Sequence, residues 1–217
     1  MKIVYEYSHL GGSEILQLRY PAIGHEIDEV IAEIRDVPRT KRSEEKTKGG
    51  KMLYAPKYLN DAFREGLRRR GFQERRAPFQ VSLPNYPLKI RGAFKQIDFV
   101  KEEVLVEVQF GKYAFMFYDM AKFQYFFNDE GAEVGVEIVP CHGLHKEMST
   151  GVSYGEQLVG DILRLRRHFP AVPVKIVLID VDDAPPLTTE TVVEEPEQAT
   201  LESSEQADEV VLDSEAD

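Results

Sequence analysis

Gln96-Ile97-Asp98-Phe99-Val100-Lys101-Glu102-Glu103-Val104-Leu105-Val106-Glu107-Val108-Gln109 sets two apolar runs on either side of a short charged turn, Lys101-Glu102-Glu103. Such a pattern predicts a β-hairpin. With the turn centred between Glu102 and Glu103, Asp98 falls directly opposite Glu107. Facing residues on paired strands have Cβ atoms ~4.5–5.5 Å apart, and like charges there repel. A divalent cation between them turns that repulsion into attraction, because hard cations take carboxylate oxygens. Gln109 lies two positions past Glu107 and so shares its face of the strand. Two acids and an amide on one face, beside a basic segment, are what a metal-dependent nuclease needs. Periodicity also leaves a plainer alternative open, with Val104, Val106 and Val108 facing a core while Leu105, Glu107 and Gln109 face water.

Working outward, the 217 residues suffice for one domain plus a tail, with a sizeable core. No run of 18 apolar residues occurs, so no membrane span is expected. The first residues lack the apolar run and cleavage site of a signal peptide. Cys141 is the only cysteine, which excludes a disulfide within the chain and fits a reducing cytoplasm. The net charge of −11 is unevenly spread. Residues 181–217 carry thirteen acids and no Lys or Arg, leaving 25 acids against 27 bases in 1–180. Within 39–101 stand seventeen bases and six acids, a net of +11. A basic stripe in an otherwise acidic chain suits a phosphate backbone; a solvated basic helix with no partner is the bland counterpart.

Ile23, Ile27, Val30, Ile31 and Ile34 fall at helical spacing and predict a helix over about 24–36, stopped by Val37-Pro38. Residues 39–52 read as a basic, Gly-containing loop whose glycine spacing is wrong for a phosphate loop. Pro56 suits a helix start and Gly71 a helix end. Residues 77–92, with Pro78, Pro84 and Pro87, read as a loop or a short edge strand. Eight of the fifteen residues from Tyr113 to Phe127 are aromatic. They predict a helix apolar nearly all round, buried in the core or against a second subunit. Val134–Pro140 and Val174–Ile179 read as strands, and 154–168 as a helix. Cys141, His142 and His145 hint at zinc, but no fourth ligand accompanies them. From residue 181 the acidic composition without aromatics predicts a disordered tail.

The stretch Asp98 to Lys101, continued by Glu107-Val108-Gln109-Phe110-Gly111-Lys112-Tyr113, resembles the type II restriction endonucleases of the BglII and BstYI kind, the BstYI kind most of all. Other matching pieces run in order over about 1–180, among them Tyr7-Ser8-His9-Leu10, Arg39-Thr40-Lys41, Glu45-Lys46-Thr47-Lys48 and Lys146 through Tyr154. The resemblance implies an α/β fold, a mixed central sheet flanked by helices, over 1–180. It also implies a homodimer cutting double-stranded DNA at a palindrome that contains GATC, with 5′ overhangs. Asp98 matches the first metal-binding acid and Glu107 the second. Gln109 matches the glutamine that this subgroup carries where most of the fold has lysine. Lys112 matches a base-reading position, and Ser149 and Thr150 a loop that reaches base edges. The family orients a water with a residue upstream of the first acid, for which Glu65 and Asn85 are candidates. A partner DNA methyltransferase is expected in the same system, without a stable complex.

On this reading Asp98, Glu107 and the Val108 carbonyl hold Mg²⁺, or Mn²⁺ in its place, with waters completing the shell. Arg39, Lys41 and Lys48 in the basic segment supply phosphate contacts. Lys112 is suited to donate to guanine. Two other readings stay open. Gln109 in the lysine position leaves room for a DNA-binding module of the same fold that does not cut, and the aromatic helix for a scaffolding protein.

Overall fold

The computed structural model describes residues 1–43, 49–149, 151–186 and 191–194. Met1–Ala184 form one compact unit, and the chain from Pro185 forms another. The body runs past the expected tail boundary at 181: the N-terminal amine lies 3.1 Å from Asp182, and Lys2 donates to the Ala184 carbonyl. Most of the acidic tail lies outside the described residues. Among the described residues, no helix is long and apolar enough to cross a membrane.

In chain order the body contains β1 (Lys2–His9), α1 (Gly12–Arg19), α2 (Pro21–Glu33), β2 (Arg39–Arg42), β3 (Met52–Tyr54), α3 (Pro56–Arg69) and β4 (Gln73–Ser82). There follow β5 (Lys89–Lys101), β6 (Val104–Val108), α4 (Tyr113–Asp129), β7 (Val134–Pro140), α5 (His142–Lys146), α6 (Gly155–Leu165) and β8 (Val174–Asp180). Six strands make one mixed sheet in the order β1-β8-β7-β6-β5-β4. β6, β7 and β8 run parallel, and β5, β4 and β1 pair antiparallel. This is the mixed central sheet flanked by helices that the sequence predicts.

The parallel strands are the Val/Ile-rich ones and are buried on both faces, as parallel strands are. Gly135 and Val139 point to one face of β7 and meet Phe123 of α4 and Gly155 of α6. Lys175, paired in register with Val136, points to the other face, where it acts on Asp28 of α2. Helices therefore cover both faces. The proline at the start of α3 and Gly71, at φ +87° beyond its end, act as the sequence predicts.

Three expectations change. Of the two readings of residues 77–92 the edge strand holds, but it is long: β4 and β5 form a hairpin with a turn at 83–88, and the edge position of β4 tolerates Pro78. The loop expected over 39–52 holds two short strands, β2 and β3, paired with each other. The aromatic helix α4 is not buried all round. Met116, Met120, Phe123 and Phe126 are fully enclosed, while Phe115 and Tyr118 are about half exposed. β1 and α1 carried too little hydrophobic pattern to be foreseen.

A Cβ at Gly135 would stand 2.6 Å from the Phe123 ring, which is wholly buried. Gly135→Ala is expected to overpack this contact and destabilise the protein by about 1–3 kcal/mol. Urea unfolding checks it, as a lower midpoint at unchanged slope.

Candidate active site

The hairpin sets the site. Phe99 pairs with Val106, Val100 with Leu105 and Lys101 with Val104. Glu102 takes the left-handed conformation, φ 53°, that lets the two-residue turn close. Continued by one residue, this register places Asp98 opposite Glu107, and the Asp98 N–H reaches Glu107 Oε1 at 3.4 Å. Asp98, Glu107, Val108 and Gln109 line one cleft of about 190 Å³. Asn60 and Arg64 enter it from α3, and Lys122 from α4. The solvated-hairpin alternative fails on burial. Leu105 and Glu107 are enclosed, Glu107 being only 4% exposed, because β6 is an inner strand with β7 on its other side.

Burial raises the Glu107 carboxyl to about 8; Lys122 opposes the shift, while Asp119 and Asp98 reinforce it. Asp119, 2% exposed on α4, is also raised by burial. It accepts Gln109 Nε2 at 3.0 Å and Lys122 Nζ at 2.7 Å. Lys122 Nζ also donates to Glu107 Oε1. Burial works against the Lys122 ammonium, but Glu107 and Asp119 outweigh it and hold its pKa above the ordinary lysine value. Gln109 is held through its amide nitrogen, which bonds Asp119, and its oxygen lies 2.5 Å from where a Cβ on Gly111 would stand. A side chain at 111 would displace that oxygen.

One acid more completes the row. Glu137 on β7 is the register partner of Glu107, is 0% exposed, and among the described residues neither carboxyl oxygen has a hydrogen-bond partner. Burial first, then Asp119 and Glu107, raise its pKa well above the usual carboxylate value, against the pull of Lys122.

The other candidates divide. Lys112 is exposed at the start of α4, and the Ser153 N–H donates to the Gly111 carbonyl at 2.8 Å. That bond draws the loop of Ser149, which is half-buried, toward Lys112. Thr150 and Lys48 lie outside the described residues. Lys41 is exposed on β2. Arg39 is engaged by Glu147 and stacks over Tyr54 with its guanidinium carbon 4.4 Å from the ring centre. Neither upstream candidate reaches the cleft. Glu65 lines a separate cavity with Glu33, Ile34 and Arg35. Asn85 sits in the far turn of the β4–β5 hairpin; the nine steps of β5 from Lys89 to Asp98 alone span roughly 30 Å. Sequence reading missed Asp119, Lys122, Glu137, Asn60 and Arg64. A signal existed for three of them: Asp119 and Lys122 are polar residues one helical turn apart in an apolar helix, and Glu137 is a lone acid in an apolar strand.

Residues 4–179 match the family model described as restriction endonuclease BglII/BglIII. BglII complexed with a DNA 16-mer is 23% identical over 84% of this chain and 79% of its own, with a TM-score of 0.64. Free BglII is 21% identical over 84% of this chain and 81% of its own, with a TM-score of 0.58. Both share the fold. No curated protein matches the chain.

The raised carboxyls of Glu107 and Glu137 tie stability to pH. Unfolded, such groups release their protons near 4.5; folded, they hold them to higher pH. Their contribution is complete below about 4.5 and is lost as pH rises, for Glu107 through about 8. In metal-free buffer the urea midpoint is expected to fall between pH 5 and 8.5, and Glu137→Gln to make that fall shallower. An equally steep fall in the variant removes Glu137 from this account.

Proposed function

The chain belongs to the BglII/BglIII restriction endonuclease family and is a type II restriction endonuclease that cuts DNA at a specific site; on that premise we propose that it cuts a palindrome containing GATC in double-stranded DNA, with Mg²⁺, leaving 5′ overhangs. The observation that carries this reading is the hairpin register, which sets Asp98 against Glu107 in a cleft that also holds Gln109. The GATC core and the overhangs rest on the resemblance of sequence pieces to the BstYI kind, Lys112 and the segment around Ser149 and Thr150 among them.

The donor set fits the metal. Two carboxylates and a main-chain carbonyl offer only oxygen, as Mg²⁺ or Mn²⁺ prefers. Among the described residues no group of three or more His, Cys, Asp or Glu side chains is placed to hold a metal. Asp98, Glu107 and the Val108 carbonyl would therefore share it with water, as Mg²⁺ tolerates. Bound there, the metal would lower the pKa of a water and stabilise charge on the phosphate. Gln109 cannot take up a proton near neutral pH. Held by Asp119, it would position the attacking water by hydrogen bonding.

Lys112, Ser149 and Thr150 would read base edges, and Lys41, Lys48 and Arg64 would contact phosphates. Arg39 would join them only by leaving Glu147. A palindromic site calls for two-fold protein symmetry, hence a homodimer, and the exposed aromatics of α4 offer a face for a second copy. A cytoplasmic location and a DNA methyltransferase of matching specificity, not stably bound, complete the proposal.

Wild-type protein with unmethylated plasmid and Mg²⁺ is expected to give discrete fragments whose sequenced ends carry GATC. Asp98→Ala is expected to keep its gel shift and to cut at least about a hundredfold more slowly. Retained cleavage by that variant removes the metal site; ends lacking GATC remove the specificity alone.

A further inference from the structure

Lys122 is the residue that the nuclease motif does not call for. It stands on α4, not on the hairpin, in a helix whose buried side chains are Met116, Met120, Phe123 and Phe126 and one acid, Asp119. A lysine rarely enters such a setting unless it is paired. Lys122 is paired twice, with Glu107 and Asp119, and its amine ends in the cleft with Asp98 and Gln109. An ammonium has three donors. Glu107 and Asp119 take two, and no other acceptor stands against the amine among the described residues. The other cation lining the cleft, Arg64, is nearly half exposed and pairs with Asp61 at 2.6 Å. Gln109, at the position where most of this fold has lysine, brings no charge.

We propose that Lys122 supplies from α4 the positive charge that Gln109 lacks, its third donor contacting a non-bridging oxygen of the scissile phosphate during cleavage. The inference deepens the proposed reaction and rests on the Asp98–Glu107 reading of the site. Its chemistry is electrostatic. A fixed ammonium aimed where negative charge develops stabilises the transition state without transferring a proton. The charge comes from a helix and not from the motif strand, with the amine beside the second motif acid. The competing role is structural: Lys122 would merely neutralise the buried acids Glu107 and Asp119.

The test compares wild type, Lys122→Met and Gln109→Lys/Lys122→Met on a plasmid that wild type cuts. It reads single-turnover cleavage, DNA affinity without divalent ion, Mg²⁺ binding by calorimetry, and the thermal midpoint. Lys122→Met is expected to cut roughly a hundredfold more slowly, with DNA and Mg²⁺ affinities within about threefold of wild type. The double variant, with the charge returned to the strand, is expected to recover at least about tenfold of that loss. Cleavage by Lys122→Met within threefold of wild type overturns the proposal, as does a loss matched by weaker Mg²⁺ binding. If Lys122→Met does not fold, the double variant decides: folded and cutting, it supports the proposal; folded, DNA-binding and inert, it overturns it. A wild type that cuts no DNA would fail the underlying reading instead.

Discussion

Glu107 occupies a place where a carboxylate is expensive. It sits on an inner strand, 4% exposed, facing Asp98 across one ladder and Glu137 across the other. Burial alone would keep such a group protonated. Lys122 relieves that imbalance by pairing with the carboxyl, and the proposed divalent cation would act on the same group. The rest of the site follows. Asp119 is retained inside an apolar helix because it anchors Lys122 and fixes Gln109. Glu137, with no partner for either oxygen among the described residues, is tolerated because its neutral form avoids adding another charge. A site of this kind sacrifices stability to poise its acids, a recognised tension in enzymes.

The same accounting sorts the basic stripe. As a count of charges, residues 39–101 are strongly positive. In the fold many of these bases are already engaged. Arg69 and Arg70 face Glu33, with Glu29 also on Arg70; Arg75 meets Glu130; Arg76 meets Glu74; Lys101 meets Glu26. Apart from Arg76–Glu74, which lies within β4, these pairs tie α3 and the β4–β5 hairpin to α2 and the end of α4. The stripe is therefore partly a structural clasp.

Much of this was legible in the sequence, for physical reasons that differ by element. The hairpin was, because side chains alternate with period two and a two-residue turn fixes the register. The buried strands β7 and β8 were, because continuous Val/Ile runs have few other uses. The extent of β4 was not: Pro78 within it and Pro84 and Pro87 just beyond it suggest a loop or a short strand, and only its place at the sheet edge, a tertiary fact, permits Pro78. β1 was hidden because it too is an edge strand, largely exposed and half polar. At the site, the three residues contributed by the hairpin could be read from spacing. Lys122, Asp119 and Glu137 reach it from other elements, through packing that no local pattern encodes. Asn85 and Glu65 lie away from the cleft for the complementary reason, since standing upstream of Asp98 gives no nearness in space when a long strand or a helix face intervenes.

That dependence on packing makes α4 both a core element and a wall of the cleft. Phe123 fits against Gly135, where a single added carbon would collide with the ring. Its neighbour Lys122 reaches Glu107, and Asp119, one turn earlier, holds Gln109. The depth at which the aromatic ring seats on β7 thus sets where the ammonium and the glutamine amide come to rest. A shift of α4 by even an ångström would alter the spacing among all four polar groups together, and reactions of this type are sensitive to displacements of that size. The glycines at 111 and 135 are then two halves of one constraint. The first leaves room for the amide oxygen, and the second lets the helix approach closely enough to bring Lys122 and Asp119 to it.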